Sequence, residues 1–176
     1  MAKITFSKLN LKLNKEVVNV KINDEITLEV RKYLPQMEKA DLIGFVIDYA
    51  LDETTMCFSP IRLETYFSIA IAKHYGNISF TDKQIEDAAK TYDLLQSNNV
   101  IDKIIEAIPE DEFNFINSAV TETAADISRY HNSFAGMIAN VSKDAGSMDK
   151  QFAEIFEKIR NKEGLEELAA IRDIVG

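Results

Sequence analysis

Between residues 3 and 34, apolar and polar side chains alternate with a period of two. The apolar members of the pattern are Ile4, Phe6, Leu9, Leu11, Leu13, Val18, Val20, Ile22, Ile26, Leu28 and Val30. Such alternation places apolar side chains on one face of a strand. Asn23-Asp24-Glu25 interrupts the pattern with turn-favouring residues, so we predict a hairpin of residues 17–22 and 26–32.

A sheet of two or three strands is marginal on its own, so the predicted hairpin needs a helix layer or another subunit to cover its apolar face. Its edge would also be available for pairing with a partner. Residues 1–35, which include the hairpin, are the first of three regions into which we divide the chain.

The pattern changes to helical spacing after Pro35, a residue that favours the first turn of a helix. We predict an amphipathic helix to about Leu51, with Met37 among its apolar positions, and a central buried helix from Ser59-Pro60 to Gly76-Asn77. A capping box at Thr81 and Gln84 predicts a polar helix over residues 82–97. We predict a further short helix over residues 100–107. Pro109 is expected to begin a long helix that extends to about Val141.

Residues 142–147 contain Gly146 and are typical of a linker. Residues 148–175 show two helical stretches separated by Gly164, which predicts a helical C-terminal arm that docks on the domain or on a neighbouring subunit. The expected fold is therefore α+β and predominantly α-helical. A short N-terminal hairpin or small antiparallel sheet (1–35) precedes a helical domain packed on it (36–145) and a helical arm (146–176).

Charge and composition narrow the classes of function. The 176 residues carry a formal net charge of −9, and residues 81–131 hold eleven acidic side chains against four basic ones. This balance opposes binding to a nucleic-acid backbone. The single Cys57 excludes an intramolecular disulfide. The interrupted apolar pattern of the N-terminus does not indicate a signal peptide, and we expect no membrane span.

Catalytic and cofactor motifs are absent from the sequence. The two histidines, His74 and His131, lie in no spacing typical of metal ligation, and no histidine motif accompanies Cys57. The acidic residues Glu110-Asp111-Glu112 could hold a cation, but their position directly after Pro109 favours a role in the first turn of a helix. No glycine pattern for phosphate binding is present. We expect no enzyme activity, no cofactor, no metal and no small-molecule substrate.

A further pattern is the order of several stretches along the chain. They are the hairpin, Lys32-Tyr33-Leu34-Pro35, the amphipathic helix, Tyr66-Phe67, residues 77–84 and Tyr92-Asp93-Leu94-Leu95. In this order the chain resembles a family of small proteins encoded by tailed bacteriophages and associated with virion structure and assembly. The resemblance covers roughly residues 4–145. It implies a non-enzymatic component or assembly factor of the phage particle, present in the host cytoplasm during assembly, with retention in the virion left open.

The leading hypothesis is therefore a protein that oligomerises or binds other virion proteins, with no direct contact to nucleic acid or membrane. The expected interface residues are four of the hairpin and four of the C-terminal arm. They are Val18, Val20, Ile26, Leu28, Phe152, Ile155, Phe156 and Ile159. The alternative is an acidic phage-encoded inhibitor that occupies the basic nucleic-acid site of a host defence protein.

Overall fold

A computed structural model describes residues 3–52, 54–55 and 57–133. The chain divides into two compact units, of which the first comprises Met1–Leu51 and Phe58–Thr121. The second comprises Asp52–Cys57 and Glu122–Gly176. The C-terminal arm with Phe152, Ile155, Phe156 and Ile159, and the boundary predicted after residue 145, lie outside the described residues.

The described part is mostly helical with a short N-terminal antiparallel hairpin, which confirms the predicted fold class. The hairpin consists of β1 (Val17–Lys21) and β2 (Thr27–Arg31), with Val18 opposite Val30 and Val20 opposite Leu28. The Asn23 side-chain oxygen accepts hydrogen bonds from the backbone of Glu25 and Ile26, so it holds the turn.

Helix α1 (Gln36–Ala50) follows Pro35 as predicted, and two short strands, β3 (Leu51–Asp52) and β4 (Cys57–Phe58), pair with each other. The remaining elements are α2 (Pro60–His74), α3 (Asp82–Glu86), α4 (Ala88–Ser97), α5 (Val100–Ala107) and α6 (Glu110–Asn132). The extension of α6 to Val141 that the sequence predicts lies outside the described residues. No helix among those described is long and apolar enough to cross a membrane.

Helix α2 is the central element of the first unit, as its nearly continuous apolar sequence predicts. It packs against α1, α4 and α5, and residues 67–72 are all buried. The chain leaves the helix through Gly76 and Asn77, and Asn77 takes a left-handed backbone conformation with φ 54°. The surrounding core includes Val30 and Leu34 from the hairpin region, Leu42 and Val46 from α1, and Ile104 from α5.

Two predictions for the helices were wrong. Residues 82–97 are not one helix, because Asp87 (φ −94°, ψ 49°) leaves helical geometry between α3 and α4. The Thr91 hydroxyl donates to the Gln84 carbonyl across this break, at 2.7 Å. The bend allows Ile85 of α3 and Ala88 of α4 both to pack with Ile69 of α2. The apolar Met37 does not face the core either, since it is 74% exposed in the first turn of α1.

The predicted strand pattern before the hairpin was also wrong. Residues 3–15 form no strand; Phe6–Leu9 is a single 3₁₀ turn, and Asn10 follows with a left-handed backbone (φ 47°). Every residue from 3 to 17 is exposed. Alternation produces a strand only where a neighbouring strand and a core are present to pair and cover it. Within the described residues this segment has neither.

Candidate interaction surface

The N-terminal segment, defined as residues 3–15, exposes apolar side chains on a scale that a folded domain normally avoids. Its five large apolar residues are all solvent-accessible, with Phe6 at 78% and Leu11 at 68%. The others are Ile4, Leu9 and Leu13. Single exposed apolar residues are ordinary, whereas several in one short segment are typical of an interaction site.

The same segment is basic and the region after the hairpin is acidic. It contains Lys3, Lys8, Lys12 and Lys15 and no acidic residue. Of the eleven acidic side chains in residues 81–131, ten are exposed and only Glu112 is not. The segment and the exposed face of the helices therefore differ in the sign of their charge as well as in their polarity.

The hairpin directs its apolar side chains into the chain's own core. Val20 and Leu28 are half-buried against it, and Val18 is half-buried opposite Val30. Helix α5 lies against both strands, and its Lys103 ammonium donates to the Ile22 carbonyl at 2.8 Å. The need of a two-stranded sheet for a covering layer is therefore met within the chain.

The exposure of the four hairpin residues that the sequence predicts as interface residues differs from one to another. Ile26 is 51% exposed at the turn and is available to a partner as it stands. The inward placement of Val18, Val20 and Leu28 was missed because alternation identifies an apolar face without saying what covers it. Their role in an interface stays a prediction, and in this fold a partner reaches Val18 and Val20 most readily from the open edge of β1.

The two edges of the hairpin differ. On the β2 side, the Arg31 amide donates to the Tyr75 carbonyl at 3.0 Å, so that edge is partly covered. On the β1 side, the Glu16 carbonyl accepts from the Lys32 amide, and the Ile22 amide donates to the Ile26 carbonyl. The backbone groups of residues 16 and 22 therefore point towards β2. Hydrogen-bonding direction alternates along an antiparallel strand, so the backbone groups of residues 17, 19 and 21 point outward. Within the described part of the chain these groups have no hydrogen-bond partner.

A buried ion pair fixes the framework that carries the hairpin. The Lys39 ammonium of α1 lies 2.6 Å from a Glu112 carboxylate oxygen of α6, with the two side chains 8% and 10% exposed. The other Glu112 oxygen accepts from the Leu34 amide at 3.0 Å and from the Tyr75 hydroxyl at 2.9 Å. Burial and the hydrogen bond to Glu112 raise the pKa of Tyr75, which remains a neutral donor. This cluster joins Leu34, in the segment between β2 and α1, to α1, α6 and the C-terminal end of α2.

Glu112 lies in the first turn of α6, as the sequence predicts, but its side chain is buried in the ion pair, which the sequence reasoning missed. Glu110 and Asp111 are exposed in the first turn of α6, as expected, but Glu112 is not. The signal was present in the helical spacing, because Glu112 lies four residues before Ile116 and eight before Val120, which are both buried. A carboxylate on the apolar face of a helix requires a buried partner, and here that partner is Lys39.

The remaining candidate residues do not converge on a site. The His74 Nε2 atom is buried without a hydrogen-bond partner in the part of the chain described, and burial lowers the pKa of this imidazole. Cys57 is exposed in β4. Among the described residues, no group of three or more His, Cys, Asp and Glu side chains is arranged to hold a metal ion. A shallow surface depression is lined by residues of α4 alone, including Lys90, Tyr92 and Asp93.

Comparisons with known proteins found no relative. No protein-family model matches the chain, and neither the curated proteins nor the solved structures include a match.

Proposed function

We propose that the protein is a non-enzymatic structural or assembly protein of a bacteriophage particle, which acts through protein–protein contacts and oligomerisation. The main support for the proposal is that the N-terminal segment exposes five large apolar side chains and four lysines. Its partners are other virion proteins or further copies of the same chain, in the host cytoplasm during assembly. The phage context rests on the sequence resemblance, and the mode of action rests on the exposed segment.

The exposed apolar side chains of the N-terminal segment favour binding to a partner. Burying a large apolar side chain is worth about 1.5–3 kcal/mol, so a segment that leaves Ile4, Phe6 and three leucines in water retains a large unrealised gain. A partner that covers them realises that gain. The four lysines add attraction towards an acidic partner and keep the segment in solution until it is met.

The test is genetic and structural. In a phage that encodes this chain, deleting its gene should arrest particle formation, with incomplete heads or tails visible by electron microscopy. Supplying the wild-type gene in trans should restore the yield. Mass spectrometry of purified particles would then establish whether the chain is retained. Normal numbers of normal particles from the deletion phage would contradict the proposal.

A second candidate function is an acidic inhibitor of a host nucleic-acid-binding protein. Ten exposed acidic side chains in residues 81–131 favour it, because negative charge is attracted to a basic site. Charge reversal at Glu110 and Asp111 should then weaken binding to the host target. Glu112 does not belong in that variant, since its reversal would break the buried pair with Lys39 and test folding instead.

A further inference from the structure

Residues 8–13 of the N-terminal segment carry the pattern of a strand with one apolar face, although they form no strand. Leu9, Leu11 and Leu13 alternate with Lys8, Asn10 and Lys12. In an extended backbone the leucines share one face and the polar residues share the other. The present conformation contains a 3₁₀ turn at Phe6–Leu9 and the left-handed residue Asn10, and asparagine changes between left-handed and extended conformations at little cost.

The outer edge of β1 offers the complementary template. The outward backbone groups belong to Val17, Asn19 and Lys21, whose side chains lie on the solvent face. Residues directly opposite each other on paired strands share a face. A strand added here with Lys8, Asn10 and Lys12 facing those three residues would place its leucines beside Val18 and Val20 on the core side. The apolar residues of the segment and of the edge therefore match on the core side.

The segment cannot reach this edge in its own chain without a loss. It joins β1 directly, and a tight turn back would fall at residues 14–16. Glu16 is already committed to the hairpin, because its carbonyl accepts from the Lys32 amide at 3.0 Å and its carboxylate pairs with the Lys32 ammonium at 2.6 Å. The Asn14 side chain also accepts from the Glu16 amide. A second chain can occupy the edge with these contacts intact.

Charge favours a second copy of this protein as that chain. The segment has four lysines and no acid, whereas the chain as a whole carries −9. Helix α5, which lies against the hairpin, exposes Asp102 and Glu106. Each copy therefore supplies both a basic strand and an acidic domain with an open edge.

We propose that residues 8–13 of one copy add as a strand to the outer edge of β1 in a second copy. The proposal rests on the function proposed above, and it names the contact through which the chain oligomerises. Strand addition of this kind combines backbone hydrogen bonds, which supply affinity, with alternate side chains, which supply specificity.

The experiment measures the mass of the full-length protein by light scattering over a concentration series. Wild type should form a defined oligomer, and replacing Leu9, Leu11 and Leu13 by Asp should raise the dissociation constant at least about a hundredfold. The control replaces Asn10 and Asn14 by Asp, which adds two negative charges to the other face of the segment. The control should retain the oligomer. At concentrations where wild type is also monomeric, circular dichroism and thermal unfolding of both variants should match wild type, because residues 3–15 are all exposed in the monomer.

A second variant tests the edge. Asn19→Pro removes an outward N–H that β2 does not use, a position where an edge strand tolerates proline, and it should also dissociate the oligomer. A monomeric wild type at every concentration would overturn the proposal, as would an oligomer that survives both the leucine and the proline variants. Either result would leave the assembly role to be decided by the gene-deletion phage, so the two proposals fail separately.

Discussion

Replacing Glu112 by Ala should be among the most destabilising single substitutions in the first unit. The carboxylate is the common acceptor for the Lys39 ammonium, the Leu34 amide and the Tyr75 hydroxyl. Leu34 and Tyr75 are fully buried, and the Lys39 side chain is 8% exposed. Water therefore cannot easily take the place of the missing acceptor. The variant leaves one charge and two neutral donors buried without their partner.

The expected loss in the free energy of unfolding follows from these three unpaired groups. Removing one member of a buried ion pair typically costs about 3–5 kcal/mol, mainly because the other charge stays buried. The Lys39 ammonium keeps part of its stabilisation, since it lies 4.5 Å from the centre of the Tyr33 ring and 4.8 Å from that of Phe115. We therefore expect a loss near the lower end of that range. A domain of this size has a free energy of unfolding of only about 5–15 kcal/mol in total.

The assay is urea unfolding monitored by far-UV circular dichroism, with linear extrapolation to water and the m-value compared between variants. Glu110→Ala is the matched control, because Glu110 is exposed in the first turn of the same helix. It should cost no more than about 1 kcal/mol through the helix dipole. A double variant, Lys39→Met with Glu112→Leu, should lose less than the sum of the two single changes. Equal losses for Glu112→Ala and Glu110→Ala would refute the reasoning.

Three further predictions concern single residues. Gly76→Ala should destabilise by about 1–3 kcal/mol, because a Cβ there would lie 2.8 Å from Ile104 Cδ1, whereas Gly44→Ala meets open space and should be neutral or stabilising. Thr81→Ala should cost about 1 kcal/mol through loss of the capping box. Burial lowers the pKa of His74, so its contribution to stability should be complete above the ordinary histidine pKa of about 6.5 and decline as the pH falls below it.

Each of these three predictions can be contradicted by a separate measurement. Chemical unfolding of the two glycine variants side by side would contradict the packing argument if both were equally stable. A Thr81 variant as stable as wild type would mean that α3 does not depend on its cap. For His74, stability is followed from neutral to mildly acidic pH in wild type and in His74→Gln. Identical slopes in the two proteins would rule out a contribution from this imidazole.

The sequence predicts the helices and the hairpin well because each has local signals. Pro35, Pro60 and Pro109 precede or begin helices, and the capping box at Thr81 fixes another start. The boundaries of α5 agree with the prediction because Asn99 and Ile108 leave helical geometry on either side. In these cases the backbone preference of one or two residues decides where the element begins or ends.

The features that sequence reasoning missed depend on contacts between distant residues. The break at Asp87 follows from the packing of Ile85 and Ala88 on α2, which no local signal records. The pair of Lys39 and Glu112 joins positions 73 residues apart. The residues before β1 have a strand pattern but no strand, because pairing requires a neighbour that one copy does not provide.

Disulfide cross-linking between two chains tests directly whether the chain associates through its N-terminal segment and the edge of β1. On a Cys57→Ser background, chains carrying Lys8→Cys, Asn10→Cys or Lys12→Cys are each mixed with a chain carrying Asn19→Cys under mild oxidation. Adjacent strands lie about 4.8 Å apart, within reach of a disulfide. We expect a mixed disulfide dimer for at least one pair, and none when Asp48→Cys, exposed on α1, replaces Asn19→Cys. Equal cross-linking to both positions, or none to either, would contradict it.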